Sequence, residues 1–204
     1  MAQIRRLVIE IDPIHSRELT AHGIRLVLAQ PAGNAPPNLA WLVLPPAPIT
    51  TVDWDERCGL YAGDVTAQDD PVIAVRSAVH PALDGRAYAF DGGTFALLPE
   101  AHRIPHGHYD VINESPFAAV FGLLGEAVVN GETVRAPANT IVLPPAFRAS
   151  FAAAARVYVW LQPDVAGGRA AFALPAGAVL ATFERDHTIW RCRYDRTTRD
   201  LISA

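Results

Sequence analysis

The segment HRIPHGHYDVINE gathers His102, His106, His108, Asp110 and Glu114 in one short stretch. If the chain from His106 to Asp110 is extended, side chains alternate between two faces, so His106, His108 and Asp110 share one of them. Two imidazoles and a carboxylate converging in this way suit a divalent iron, manganese or zinc ion with positions left open for water or substrate. His102, Tyr109 and Glu114 are the candidate catalytic groups beside that metal set. The competing reading of the same residues is a polar, solvent-facing strand whose histidines bind nothing.

A second cluster, VDWDERCGLY, brings Asp53, Asp55 and Glu56 beside Trp54 and Cys58. Paired carboxylates can act as acid and base or hold calcium, and Asp53 and Asp55 share a face if extended. The plainer reading is a charged turn with Trp54 packed inward. Cys58 beside these acids has its thiolate disfavoured, which makes it a poor nucleophile. Trp41, Trp54, Trp160 and Trp190, with Tyr61, Tyr88, Tyr109, Tyr158 and Tyr194, could line a sugar or aromatic-ligand pocket or could fill a core, and the apolar surroundings of Trp41 and Trp160 favour the core for those two. Arg191 and Arg193 alternate with Trp190, Cys192 and Tyr194, implying a strand with one cationic face that is solvated or binds a carboxylate. His15, His22, His80 and His187 have no spaced partners and read as surface or satisfied core residues. GxGxxG before a helix, GxxxxGK[ST], GxSxG and HExxH are all absent, so dinucleotide, nucleoside-triphosphate, α/β-hydrolase and zincin chemistry lack their motifs.

The elements that must position these residues are strands. Apolar residues recur at period two or in short runs punctuated by Pro and Gly. Strands are expected at Ile4 to Ile11, Ile24 to Ala29, Leu39 to Leu44, Cys58 to Ala62, Val72 to Val79, Tyr88 to Phe90 and Thr94 to Leu98. They continue at His108 to Ile112, Ala118 to Leu124, Glu126 to Asn130, Thr140 to Leu143, Arg156 to Leu161, Ala178 to Phe183 and Thr188 to Tyr194, with Phe151 to Arg156 as loop or strand. One helix is expected from about Pro13 to Ala21, capped by Asp12 and closed by Gly23. Asn130-Gly131 between apolar runs is a hairpin signal. The proline clusters at 31–37, 45–48 and 144–145 belong in connections, because proline cannot donate to a ladder.

From about residue 100 to 152 the chain resembles the cupin family. His106-Gly107-His108 looks like that family's His-x-His pair, Glu114 like the acid that follows, and the stretch from Phe121 through Gly125 to Gly131 like its strand and turn. NTIVLPPAFRASF, from Asn139 to Phe151, is similar to the second motif in its apolar strand and proline. The resemblance implies a jelly-roll barrel holding one divalent metal through His106, His108 and either Asp110 or Glu114, and acting on a small organic molecule as an oxygenase, isomerase or lyase. Glu114 lies one residue further from His108 than the family's spacing, and Arg148 or Ala149 stands where the second motif has its His.

At 204 residues, half of them hydrophobic, the chain can bury a core without disulfides, and the expected architecture is one all-β domain over residues 1–204: a β-sandwich or jelly-roll barrel with at most one short helix. A formal charge of -4 without runs of like charge disfavours nucleic acid and membrane as partners. All 17 basic residues are Arg, which excludes lysine Schiff-base chemistry and leaves guanidinium groups as the cationic anchors. The start, MAQIRRLVIEIDP, reads as a strand and not as a signal peptide, and two cysteines far apart fit a reducing cytoplasm, with one long-range disulfide left open. The expected partner is a small-molecule ligand or substrate, with a homodimer possible through an exposed sheet face. Beside the metal-dependent enzyme stand two other readings: a non-catalytic β-sandwich that binds carbohydrate or another small ligand or serves as an assembly subunit, and a metal-free enzyme using the histidines as acid and base.

Overall fold

The computed structural model describes residues 3–31, 33, 35–66, 71–100, 104–163, 165, 168–169 and 174–204. Period-two alternation becomes strand along most of this length. After β1 (Arg5–Glu10) comes the single helix among the described residues, α1 (Pro13–Ala21). Asp12 caps it by accepting a hydrogen bond from the Ile14 N–H at 2.8 Å, Pro13 occupies the first turn, where no donor is needed, and Gly23, at φ +69°, turns the chain out.

The strands that follow are β2 (Ile24–Ala29), β3 (Leu42–Leu44), β4 (Ile49–Val65), β5 (Ile73–Val79), β6 (Arg86–Phe90), β7 (Phe95–Leu97), β8 (His108–Asn113) and β9 (Ala119–Val129). The chain ends with β10 (Glu132–Pro137), β11 (Ile141–Leu143), β12 (Arg148–Ala152), β13 (Arg156–Pro163), β14 (Val179–Thr182), β15 (Ile189–Asp195) and β16 (Asp200–Ser203). The largest sheet runs β10-β9-β4-β1-β15-β16, with β11 also beside β9 and β5 also beside β4. Two smaller sheets run β12-β8-β6-β7 and β14-β13-β2-β3. The protein is thus all-β and sandwich-like, and two of its pairings, β1 with β15 and β6 with β8, are parallel.

One continuous core joins the three sheets. Leu7, Ile9, Phe121 and Leu123 come from the large sheet, Tyr88, Tyr109 and Val111 from the second, and Leu26, Leu28, Val157 and Val159 from the third. Within it Trp54 stacks edge-on against Trp41 and Phe183, with ring centroids 5.8 and 5.0 Å apart, contacts worth on the order of 1 kcal/mol each beyond the area they bury. Smaller apolar clusters back the sheets on their other faces, Tyr61 with Leu39 and Val120, and Trp160 with Val27 and Ala40.

Three expectations are corrected. The runs Ala118 to Leu124 and Glu126 to Asn130 form one strand, β9, because Gly125 continues the ladder; a Cβ there would lie 2.7 Å from Trp41 Nε1, so glycine makes room for the indole. The strand expected at Cys58 to Ala62 extends over Ile49–Val65 and takes in the acidic cluster, which is strand and not the expected turn. β12 and β16 form where only loop or ambiguous signals stood, since each has a neighbour to complete its ladder, β8 and β15 respectively. Asn130, at φ 49°, and Gly131, at φ 93°, form the expected β9–β10 turn.

Gly125→Ala should cost about 1–3 kcal/mol, since the buried Trp41 ring has nowhere to move. Urea unfolding should show a lowered midpoint at unchanged slope.

Candidate functional site

β4 is longer than either strand that flanks it on one side. Its first part pairs with β1, ending at Arg5 opposite Trp54, and its last part pairs with β5, beginning at Val79 opposite Leu60. β9 runs along the other side of both parts, but the register steps from Trp54–Ala127 to Cys58–Gly125, so Asp55, Glu56 and Arg57 oppose Glu126 alone. This is a β-bulge, a device that re-aims side chains. Asp55 completes it locally: its Oδ1 accepts the Arg57 N–H at 2.8 Å and its Oδ2 accepts Arg57 Nε at 2.7 Å.

Where β1 stops and β5 has not begun, a notch of about 320 Å³ opens beside the bulge. Trp54, Pro81, Ala127 and Val128 supply its apolar lining. Each of its charged lining residues has a partner of opposite sign. Arg6 holds Asp53, directly opposite it on the neighbouring strand, through two 2.7 Å hydrogen bonds. Arg135 Nε donates to Glu126 Oε2 at 2.6 Å, again directly across a strand pair, and Arg57 holds Asp55. Glu56 is turned away from the notch and pairs with the buried Arg5.

His80, just past the end of β5, carries a lining nitrogen that is not tied down. Its side chain is 13 % exposed and its Nε2 is buried with no hydrogen-bond partner among the described residues; Glu126 Oε2 stands 3.9 Å away, beyond hydrogen-bond range. Burial and then the Arg135 charge push the imidazole below its usual pKa, with Arg57 adding to this and Glu126 and Asp55 opposing it, so His80 is neutral near pH 7. A glycine at 59 allows this placement, because a Cβ there would lie 2.6 Å from the Val79 carbonyl and 2.9 Å from the His80 ring.

The residues singled out in HRIPHGHYDVINE are only partly brought together. β8 begins at His108, so His108 and Asp110 share a strand face, but His106 sits in the preceding turn with Gly107 at φ +76°. The His106 side chain is 98 % exposed, and its Nδ1 lies 3.0 Å from Asp84 Oδ2, while the Gly107 N–H donates to Asp84 Oδ1. Asp110 is buried and its carboxylate is held by Arg148, which donates from Nε at 2.6 Å; its Oδ1 has no hydrogen-bond partner among the described residues. Tyr109 points to the opposite face, into the core, where its hydroxyl donates to the Glu56 carbonyl at 3.3 Å and burial pushes its pKa up. Glu114 is exposed beyond the far end of β8, about 20 Å of extended chain from His108. His102 lies outside the described residues. Among the described residues no three His, Cys, Asp or Glu side chains are grouped to hold a metal ion.

His108 does line a second cavity, of about 460 Å³, with Asn38, Asn139, Thr140 and Ser150. Cys58 and Cys192 are both buried and unpaired, and burial, the largest cause in each case, pushes both thiols up to about 12. Trp41, Trp54 and Trp160 are core residues. Sequence reasoning missed His80, Glu126 and Arg135, and no spacing signal could have found them, since they come from three segments that only the sheet brings together. No helix among the described residues is long and apolar enough to cross a membrane.

Arg148→Ala should cost about 2 kcal/mol in urea unfolding by leaving the Asp110 carboxylate buried and unpaired, and adding Asp110→Asn should recover part of it. The folded-state pKa of His80 lies below its ordinary value near 6.5, so below that pH the unfolded chain takes up a proton that the folded chain resists. Stability from neutral His80 is therefore present above about pH 6.5 and lost as pH falls from there to the lowered folded value. The urea midpoint should drop over that interval, and His80→Gln should remove this part of the slope. No protein-family model, curated protein or solved structure matches the chain, so the chemistry of the notch rests on its own residues.

Proposed function

We propose that this protein is a small-molecule-binding β-sandwich whose ligand site is the notch beside the β4 bulge. The observation that carries this reading is the concentration there of what a ligand site needs: a concavity with an apolar lining, three ordered ion pairs, and a neutral imidazole whose buried nitrogen has no partner. Its volume, about 320 Å³, lies at the small end of the range on the order of 300–1,000 Å³ typical of such sites. The bulge supports it as well, because an irregularity retained in the middle of a long paired strand re-aims the side chains that line the cavity.

The metal-dependent reading has a narrower support, the shared face of His108 and Asp110 and the unpartnered Asp110 Oδ1. One comparison separates the two. Ligand-detected NMR against a library of small polar metabolites should give hits with the wild-type chain that are lost in Val128→Trp, which fills the notch from an outward-facing position on β9. Hits that survive Val128→Trp but vanish in His108→Ala would move the site to the second cavity. A thermal shift on adding iron, manganese or zinc that depends on His108 would favour the metal reading instead.

A further inference from the structure

We infer that the ligand of the notch is a neutral, polyhydroxylated small molecule, a monosaccharide or cyclic polyol. This rests on the notch being the ligand site. Asp53, Asp55 and Glu126 are each already engaged by a guanidinium, from Arg6, Arg57 and Arg135, at hydrogen-bond distances of 2.6–2.7 Å. Counted with Arg6, which holds Asp53 from outside the lining itself, the rim carries no net charge, and His80 adds none near pH 7. An anionic ligand drawn to a guanidinium meets the carboxylate already bound there, and a cationic one drawn to a carboxylate meets its guanidinium, so neither finds a net opposite charge. Either must still shed the water around its own charge, a cost that the paired rim does not offset.

A hydroxylated neutral molecule meets no such penalty. Each guanidinium has five N–H donors, of which its carboxylate engages one or two, and each carboxylate has lone pairs to spare, so unbroken pairs still offer donors and acceptors side by side. Hydrogen bonds from a neutral hydroxyl to a charged partner are among the stronger neutral–ion contacts. Two lining residues, His80 and Trp54, carry buried nitrogens, Nε2 and Nε1, without partners among the described residues. A buried nitrogen without a partner is a place where a ligand or water supplies the missing bond once the ring shifts to expose it. The apolar lining from Pro81, Ala127 and Val128 gives the C–H face of a ring a surface to pack on. The notch's volume of about 320 Å³ accommodates a single ring.

The test uses ¹⁵N-labelled full-length protein and follows the Trp54 indole resonance, assigned by Trp54→Phe, during titration with glucose, galactose, mannose and myo-inositol, and with glucuronate and glucosamine as charged counterparts. At least one neutral compound should shift that resonance and bind about tenfold more tightly than the charged analogues. Glu126→Gln, which removes one carboxylate and leaves Arg135 unpaired, should move the preference toward glucuronate. Glucuronate or glucosamine binding at Trp54 as tightly as the neutral compounds in the wild-type chain would overturn the ligand class while leaving the notch as the site. Shifts that leave Trp54 and its surroundings untouched, or no shift with any of the neutral compounds, would overturn the inference, and if the metabolite hits also survive Val128→Trp the notch reading falls with it.

Discussion

The pairing of β4 with β9 is the interaction on which the rest of the molecule depends. A buried backbone must find a partner for every N–H and C=O, and β4 is long enough that no single neighbour on its other side completes it. β1 serves the first part and β5 the last, so the large sheet forks along β4 while β9 keeps the two parts in line. The fork leaves a short stretch of β4 without a full ladder on that side. The chain fills it with a bulge, an aspartate that takes up the freed Arg57 N–H, and the Ala82 N–H, which donates to the Cys58 carbonyl at 2.9 Å. The notch is the surface expression of that fork.

Charge follows from the same geometry. Residues opposite each other across antiparallel strands sit within side-chain reach, and two of the three notch pairs, Arg6 with Asp53 and Arg135 with Glu126, are such partners. With no lysine in the chain, every cation is a planar fork able to hold a carboxylate through two bonds, and the Arg6–Asp53 pair does so. Exposed pairs of this kind contribute little to stability, on the order of 0–1 kcal/mol each. Their consequence is order: they hold the rim in one arrangement around an imidazole that stays neutral.

The contrast with β8 is instructive because the same alternation rule acts there with another result. His108 and Asp110 do face the same way, yet Asp110 is paired with Arg148 on β12, and Tyr109 is turned into the core between them. Gly107, in a left-handed conformation, ends the extended run one residue short of His106. A ligand set inferred from spacing thus depends on where a strand begins, and here the Asp84 carboxylate, bonded to the Gly107 N–H and beside His106, organises the turn instead.

The amino-acid sequence by itself determined the all-β class, the helix from Pro13 to Ala21 with its Asp12 cap, the Asn130-Gly131 turn and the inward placement of Trp41, Trp54 and Trp160, because period, capping and turn chemistry are local properties. It also singled out Asp53 and Asp55 as neighbours, though not the strand they belong to. Only the tertiary structure decided that Gly125 continues a strand, since its role is to receive Trp41 from a distant segment. Only it decided that His80, unremarkable by spacing, meets Glu126 and Arg135 at the bulge. The reason is that sheet neighbours are chosen by long-range ladder completion and shared burial, which leave no periodic mark in the segments they join.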